Sequence, residues 1–249
     1  MSHRAHGIDI SKYQVSYNPL TPVDFVIQRL SYGLMRDEKY HQLRGPVLAA
    51  PVSGAYHYFS SGSPWQAQAA LFVELGKEYD FYALDVESAY NNINGKFIAD
   101  AYQWMVQVHE ATGKKVLLYT NPSLYKTWFN GLAWPKQWPL WIAQYWFSPS
   151  EDKNPGMRGM DRSDWAFYQY SADTPPNFKG REYGVESTNI DLDVFNGTVE
   201  ELHEWVGLPA GIPITQPHEV VNQDLAAALA DMQVVIDNHR PRTREVTHG

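Results

Sequence analysis

The chain has 249 residues, no cysteine, and a formal net charge of −8 from 28 acidic and 20 basic side chains. That length suits one large domain with a substantial core, or one domain with a small appendage. Without thiols neither a disulfide framework nor a cysteine-ligated metal can form, and the acidic balance, with no basic run, disfavours nucleic acid as a partner. No stretch approaches the length of a membrane span. The start, Met1 to His6, enters a strand-like segment without an apolar leader, so the product is expected to be soluble and made in the cytoplasm. Aromatic residues make up 14%, including 9 Trp and 16 Tyr; such rings line carbohydrate clefts or fill barrel cores.

In chain order, Gly7-Ile8-Asp9-Ile10-Ser11 is a short apolar strand with an acid in its middle, and Asp24 to Leu30 is a second strand ending at Gly33. Lys39 to Ala50 suits a helix interrupted at Gly45-Pro46. Gly54 to Phe59 is a third strand, and Ser63-Pro64 is expected to cap a helix running to about Tyr79. Phe81-Tyr82-Ala83-Leu84-Asp85-Val86-Glu87 is a buried strand that ends in two acids. Alternate residues of a strand share a face at about 3.3 Å rise, so the Asp85 and Glu87 Cα atoms fall roughly 6.6 Å apart. Like charges held so close in a partly desolvated site push one pKa upward, leaving one acid protonated beside an ionised neighbour, the equipment for acid-catalysed bond cleavage. A helix from about Gly95 to Ala111 stops near Gly113, and Val116 to Thr120 is a fifth strand closed by Asn121-Pro122.

Strands alternating with helices predict parallel βαβ units closed into an α/β barrel, with chemistry at the C-terminal strand ends where Asp85 and Glu87 fall and which Asp9 can reach. After Trp128 the segments 140–145, 165–170 and 189–193 are strand-like but separated by loops, so this half of the sheet is expected to be irregular and partly antiparallel. Asp191 and Asp193 repeat the paired-acid spacing, and Val199 to Val206 forms a closing helix. Residues 207–216 make a linker. Beyond it Val221, Leu225, Ala228, Met232 and Val235 trace a heptad seam within 217–249. That helix is expected to pack on the barrel, with pairing between chains, and hence a homo-oligomer, as the second reading. His109-Glu110, His203-Glu204 and His218-Glu219 each lack the second histidine of a zinc-hydrolase helix, and no phosphate-binding glycine loop is present, so neither metal nor cofactor is expected. His57 faces away from Tyr56 and Tyr58 and suits a hydrogen-bonded core residue.

Six segments in this order, Gly7-Ile8-Asp9-Ile10-Ser11, Gly54-Ala55-Tyr56-His57-Tyr58, Leu84-Asp85-Val86-Glu87, Leu118-Tyr119-Thr120-Asn121, Trp141-Ile142-Ala143-Gln144-Tyr145 and Ile190-Asp191-Leu192-Asp193-Val194-Phe195, resemble glycoside hydrolase family 25, the Chalaropsis-type lysozymes of phage endolysins and bacterial autolysins. The resemblance covers residues 5 to 206 and implies a flattened, irregular (β/α) barrel; the C-terminal helical extension lies outside it and rests on the heptad seam. It implies an N-acetylmuramidase that cleaves the β-1,4 bond between N-acetylmuramic acid and N-acetylglucosamine in peptidoglycan. Glu87 matches the general acid, Asp85 the second catalytic carboxylate, and Asp9 and Asp191 the acids of the cleft floor. Tyr58, Tyr119, Trp141 and Tyr145 are candidates for stacking on sugar rings, each equally suited to core filling. Where the family often shows a Lys followed by Thr-Glu-Gly, this chain has Arg29 and Ser31-Tyr32-Gly33, so Arg29 is the candidate sugar contact there. With no leader, the resemblance suggests a phage endolysin that reaches the wall on release. A non-catalytic carbohydrate-binding barrel and a chitinase-like hydrolase are the competing classes.

Overall fold

In the computed structural model, which describes residues 3–89, 91–145, 150–172 and 179–208, eight strands close into a barrel. β1 (His6–Ile10), β2 (Phe25–Tyr32), β4 (Val52–Tyr58), β5 (Phe81–Asp85), β6 (Val116–Thr120), β7 (Leu140–Ala143) and β8 (Phe167–Ser171) run parallel to their neighbours, while β3 (Met35–Arg36) forms a hairpin with the end of β2. β9 (Asp191–Phe195) fills the gap between β8 and β1 and is antiparallel to both. A parallel strand needs a long crossover, usually a helix. The helices on this wall are α1 (Tyr40–Leu48), α2 (Trp65–Leu75), α3 (Gly95–Thr112) and α4 (Pro122–Trp128), whereas β8 and β9 are bridged by α5 (Gly180–Tyr183), a single turn. The irregular, partly antiparallel half expected from the sequence is this seam, and α6 (Val199–Val206) closes the chain of described elements as expected.

Each strand divides its side chains between two apolar layers. Those pointing outward, such as Leu30, Leu84 and Leu118, pack under the helices with Phe72, Trp104 and Met105. Those pointing inward, such as Phe25, Phe81, Leu117, Phe167 and Phe195, fill the barrel. Both faces are therefore dry, which is why the strands read as apolar runs. Gly7 and Gly54 face inward at the bottom layer, where a Cβ would stand 2.4 Å from the ring of Phe25 or Phe81 respectively. Glycine here makes room for phenylalanine. Trp205 of α6 completes the floor, edge-on to Phe81 at 5.6 Å between ring centroids and to Phe167 at 5.5 Å.

Several boundaries differ from the sequence reading. α2 begins at Trp65 with Pro64 in its cap position at ψ 129°, and Ser63 makes no capping bond. It stops at Leu75, because the backbone turns at Gly76 to start β5. Asn121-Pro122 does close β6, and it also opens α4: the Asn121 side chain accepts from the Leu124 amide at 2.9 Å with Pro122 in the first turn. His57 is fully buried, as expected. The Gln68 amide nitrogen donates to the Ser60 and Ser63 carbonyls, so its Oε1 accepts from His57 Nε2 at 3.0 Å, leaving Nδ1 to accept from the Ser31 hydroxyl at 2.8 Å. The heptad helix of 217–249 and linker positions 209–216 lie outside the described residues.

Candidate active site

The inward row that is apolar at the barrel floor becomes polar at the mouth. Asp85 is the last residue of β5 and points inward, in register with Tyr58 of β4 and Tyr119 of β6. Asp9 stands at the same level on β1, paired with Asp191, the first residue of β9. Because β9 runs backwards, its beginning lies where the other strands end, which brings Asp191 to the mouth. Glu87 follows Asp85 by two residues, just beyond the strand, and is half-buried. All four acids line one cleft of about 300 Å³, together with Arg29, Tyr58, Tyr119, Trp141 and Tyr145. The structure thus gathers into one place the four candidate catalytic acids and the five candidate sugar contacts, while Asp193 and His57 are buried outside the cleft lining.

The carboxyls differ in surroundings. Asp85 is 6% exposed and its Oδ1 has no hydrogen-bond partner among the described residues. Burial holds its pKa well above the ordinary carboxylate value, the charge of Glu87 adds to this, Arg29 opposes it, and Asp9 contributes in the same direction as Glu87. Glu87 is also raised, by burial, opposed by the neighbouring Tyr119 hydroxyl and the Arg29 charge. Burial acts on both acids, and the repulsion between their charges is mutual. Two interacting acids of this kind titrate as a pair and retain a proton above the usual carboxylate range.

Arg29 supplies the counter-charge. Its Nε donates to Asp37 Oδ2 at 2.7 Å, and Asp37, 1% exposed, also accepts from the Lys12 and Lys39 amides. The guanidinium stacks with Tyr13 at 5.4 Å and Tyr32 at 5.6 Å, while Nη2 is buried with no partner among the described residues. Tyr13 is 64% exposed and rides on a strained turn: Val15 has φ 64° and ψ −57°, closed by Ser16 N–H donating to the Gln14 carbonyl at 2.7 Å. A β-branched residue in that turn costs of order 1–3 kcal/mol.

On the opposite wall Gln169 organises the floor. Its Nε2 donates to Asp9 Oδ2 at 2.5 Å, and its Oε1 accepts from the hydroxyls of Tyr119, at 2.8 Å, and Tyr145. Trp141 Nε1 donates to Asp193 Oδ1 at 2.8 Å. Asp193 is fully buried, and burial followed by the charge of Asp9 holds its proton far above the ordinary range. Trp141 is 1% exposed and Tyr119 6%, stacked edge-to-face at 4.5 Å between centroids, so both serve as floor rather than as open sugar platforms. Tyr145, 47% exposed, offers an open ring. The half-buried Tyr58 donates its hydroxyl to the Ala89 carbonyl, and Asn91 Nδ2 donates to the Glu87 carbonyl at 3.0 Å, so the loop carrying Glu87 is tied to β4.

Tyr13, Tyr56, Asp37 and Gln169 were not singled out by the sequence reading. Tyr56 is buried and lines the cleft at the level below Tyr58. It lies on the inward row of β4 two residues before Tyr58, and that spacing was available as a signal. Among the described residues no group of His, Asp and Glu is arranged to hold a metal ion.

Residues 8–177 match the sequence profile described as Glycosyl hydrolases family 25. The uncharacterized protein YegX of Escherichia coli strain K12 is 29% identical over 219 residues, spanning 82% of this chain and 74% of YegX. A bacterial lysozyme from Streptomyces coelicolor shares the fold at TM-score 0.65 and 24% identity, covering 83% of this chain and 98% of that one. The catalytic domain of endolysin ply40 from bacteriophage P40 of Listeria monocytogenes does so at TM-score 0.61 and 24% identity, covering 82% and 98%.

Proposed function

The chain belongs to glycosyl hydrolase family 25 and is a glycoside hydrolase, and from that premise we propose that it is a peptidoglycan muramidase, cutting the β-1,4 bond from N-acetylmuramic acid to N-acetylglucosamine. The observation that supports this reading is the Asp85 and Glu87 pair, both pKa values raised, at the mouth of a cleft floored by Asp9 and Asp191. Glu87, the more open of the two, donates its proton to the glycosidic oxygen, and the resulting carboxylate then takes a proton from the attacking water. The positive charge that develops on the sugar ring meets Asp85 beneath it. There Asp85 acts by covalent attack on the anomeric carbon or by aligning the substrate's own 2-acetamido oxygen for internal attack. Arg29, Asp9 and Gln169 hold the carboxylates in place, and Tyr145 receives a sugar face. The setting we propose is lysis of a bacterial wall from within, in the manner of a phage endolysin.

The test replaces Glu87 by Gln, which keeps the shape but carries no transferable acid proton. Turnover of purified peptidoglycan should fall by about 10² to 10⁴-fold with no loss of melting temperature. New reducing ends released by the parent chain should be muramic acid. Reducing-end glucosamine, preferential cleavage of chitin, or lysis by the Gln variant at the parent rate would each overturn the reading.

A further inference from the structure

Glu87 stands on a boundary. On one side is the acid-floored cleft; on the other is a second, larger compartment of about 640 Å³ that shares Glu87 and Tyr145 with it. An acid placed between two compartments serves a bond that crosses from one to the other. The sugar that becomes cationic belongs over Asp85, and the sugar that departs belongs in the second compartment. The charge of that compartment is opposite to the first: among the described residues Glu87 is its one acidic wall residue, and it carries Lys126 of α4 and Arg158 of the loop between β7 and β8.

Neither cation has an ion-pair partner among the described residues. Six ion pairs hold other Lys and Arg residues among the described residues, in a chain of net charge −8, yet neither Lys126 nor Arg158 enters one. They are also seated together. A Cβ on Gly159, where φ is 82°, would lie 3.2 to 3.3 Å from Lys126 Cδ, Cε and Nζ, so the lysine stem rests on the turn that presents Arg158. That loop is tethered. Gln144 Oε1 accepts from the Gly156 amide, Arg4 Nη1 donates to the carbonyls of Glu151 at 3.2 Å and Lys153 at 3.1 Å, and Asp161 Oδ2 accepts from the Gly131 amide at 2.8 Å.

We propose that this compartment binds a carboxylate substituent of the departing part of the glycan, making Lys126 and Arg158 determinants of substrate choice; the proposal rests on the peptidoglycan reading above. Two sources share that chemistry: the free carboxyls of a stem peptide, and the lactyl carboxyl exposed when an amidase has removed the peptide.

The experiment compares three glycans, peptide-bearing, amidase-stripped, and stripped then methyl-esterified so that no carboxylate is left. The parent chain should show a KM about three- to tenfold lower on its preferred carboxylate-bearing glycan than on the ester, a gap that narrows as salt screens exposed charges. In the double variant Lys126→Gln, Arg158→Gln the gap should collapse to about one. Discrimination against the stripped glycan identifies the stem peptide as the source, discrimination against the peptide-bearing glycan identifies the lactyl group, and equal use of both means that either carboxylate serves. A parent chain that does not discriminate, or a double variant that discriminates as well as the parent, overturns the proposal. Should the parent turn over none of the three, the muramidase reading fails instead. Calorimetric binding of the same glycans to Glu87→Gln still decides the compartment's preference.

Discussion

Arg29 holds a position between structure and chemistry that a lysine would not reproduce. Its planar fork uses Nε on the buried Asp37 while its face stacks on Tyr13 and Tyr32, leaving the rest of the charge directed at the carboxylates. Replacing it with Gln strips the buried Asp37 of its ion pair, and breaking such a pair by removing one partner costs about 3–5 kcal/mol. The same change removes the cation that lowers the pKa of both Asp85 and Glu87. Each acid should then keep its proton to higher pH, and the alkaline limb of kcat/KM should move upward. A pH profile with an unmoved or lowered alkaline limb would show that Arg29 does not act on the pair. At this scale the sequence was informative where chemistry and period coincide. Two acids at i and i+2 on an apolar strand declare a shared face, as Asp85 and Glu87 did. Gln169 declared nothing: its importance comes from Asp9, 160 positions away, and from two tyrosine hydroxyls, partners that local spacing does not encode.

Among the elements, α6 shows how a short amphipathic helix completes a barrel. Thr198 opens it with a capping box in which Glu201 answers the Thr198 amide at 2.7 Å, and Leu202 is fully buried. Half-buried Trp205 packs against Phe81, Phe167 and Phe195, while Lys115 lies over its ring at 5.2 Å. Trp205→Ala should cost about 2–3 kcal/mol, below the range for fully buried rings because one side of the indole is open. For a chain of this size that is a fall in melting temperature of roughly 4–12 °C. The cleft at the far end of the barrel should keep its KM; a variant with native melting temperature would remove α6 from the core. α6 was legible because its cap, its period and its length agree. α4 was not, since Asn-Pro ends a strand and begins a helix with the same two residues. The two-residue β3 was missed because Met35 and Arg36 are exposed and carry no alternation.

Over the whole molecule, closure of the barrel was legible from the alternation of strands and helices, but the direction of β9 was only partly so, because it depends on the connection between β8 and β9 rather than on β9 itself. The closed fold imposes two opposing pH dependences on stability. His57, sealed between Ser31, Gln68 and the stacked ring of Trp104, has its pKa lowered from 6.5 to about 4 by burial. The folded state therefore binds fewer protons there than the unfolded chain between those values. Stability falls as pH drops from 6.5 toward 4, by on the order of 3 kcal/mol when complete. Asp85 does the reverse. Its folded pKa is raised, so its contribution is intact below the unfolded carboxylate value and is lost as pH rises through the folded one. Across about pH 4 to 7 the two partly cancel, flattening the parent profile. Asp85→Asn removes one declining member, while Glu87 and Asp193, whose pKa values are also raised, remain. Denaturant unfolding at a series of pH values should give a variant-minus-parent stability difference that increases steadily from pH 3.5 to 7, with activity lost throughout. A difference that is constant with pH, or that shrinks as pH rises, would mean that the Asp85 carboxyl is no harder to ionise in the folded barrel than in the open chain, leaving the burial of Glu87 alone to hold a proton for the leaving sugar.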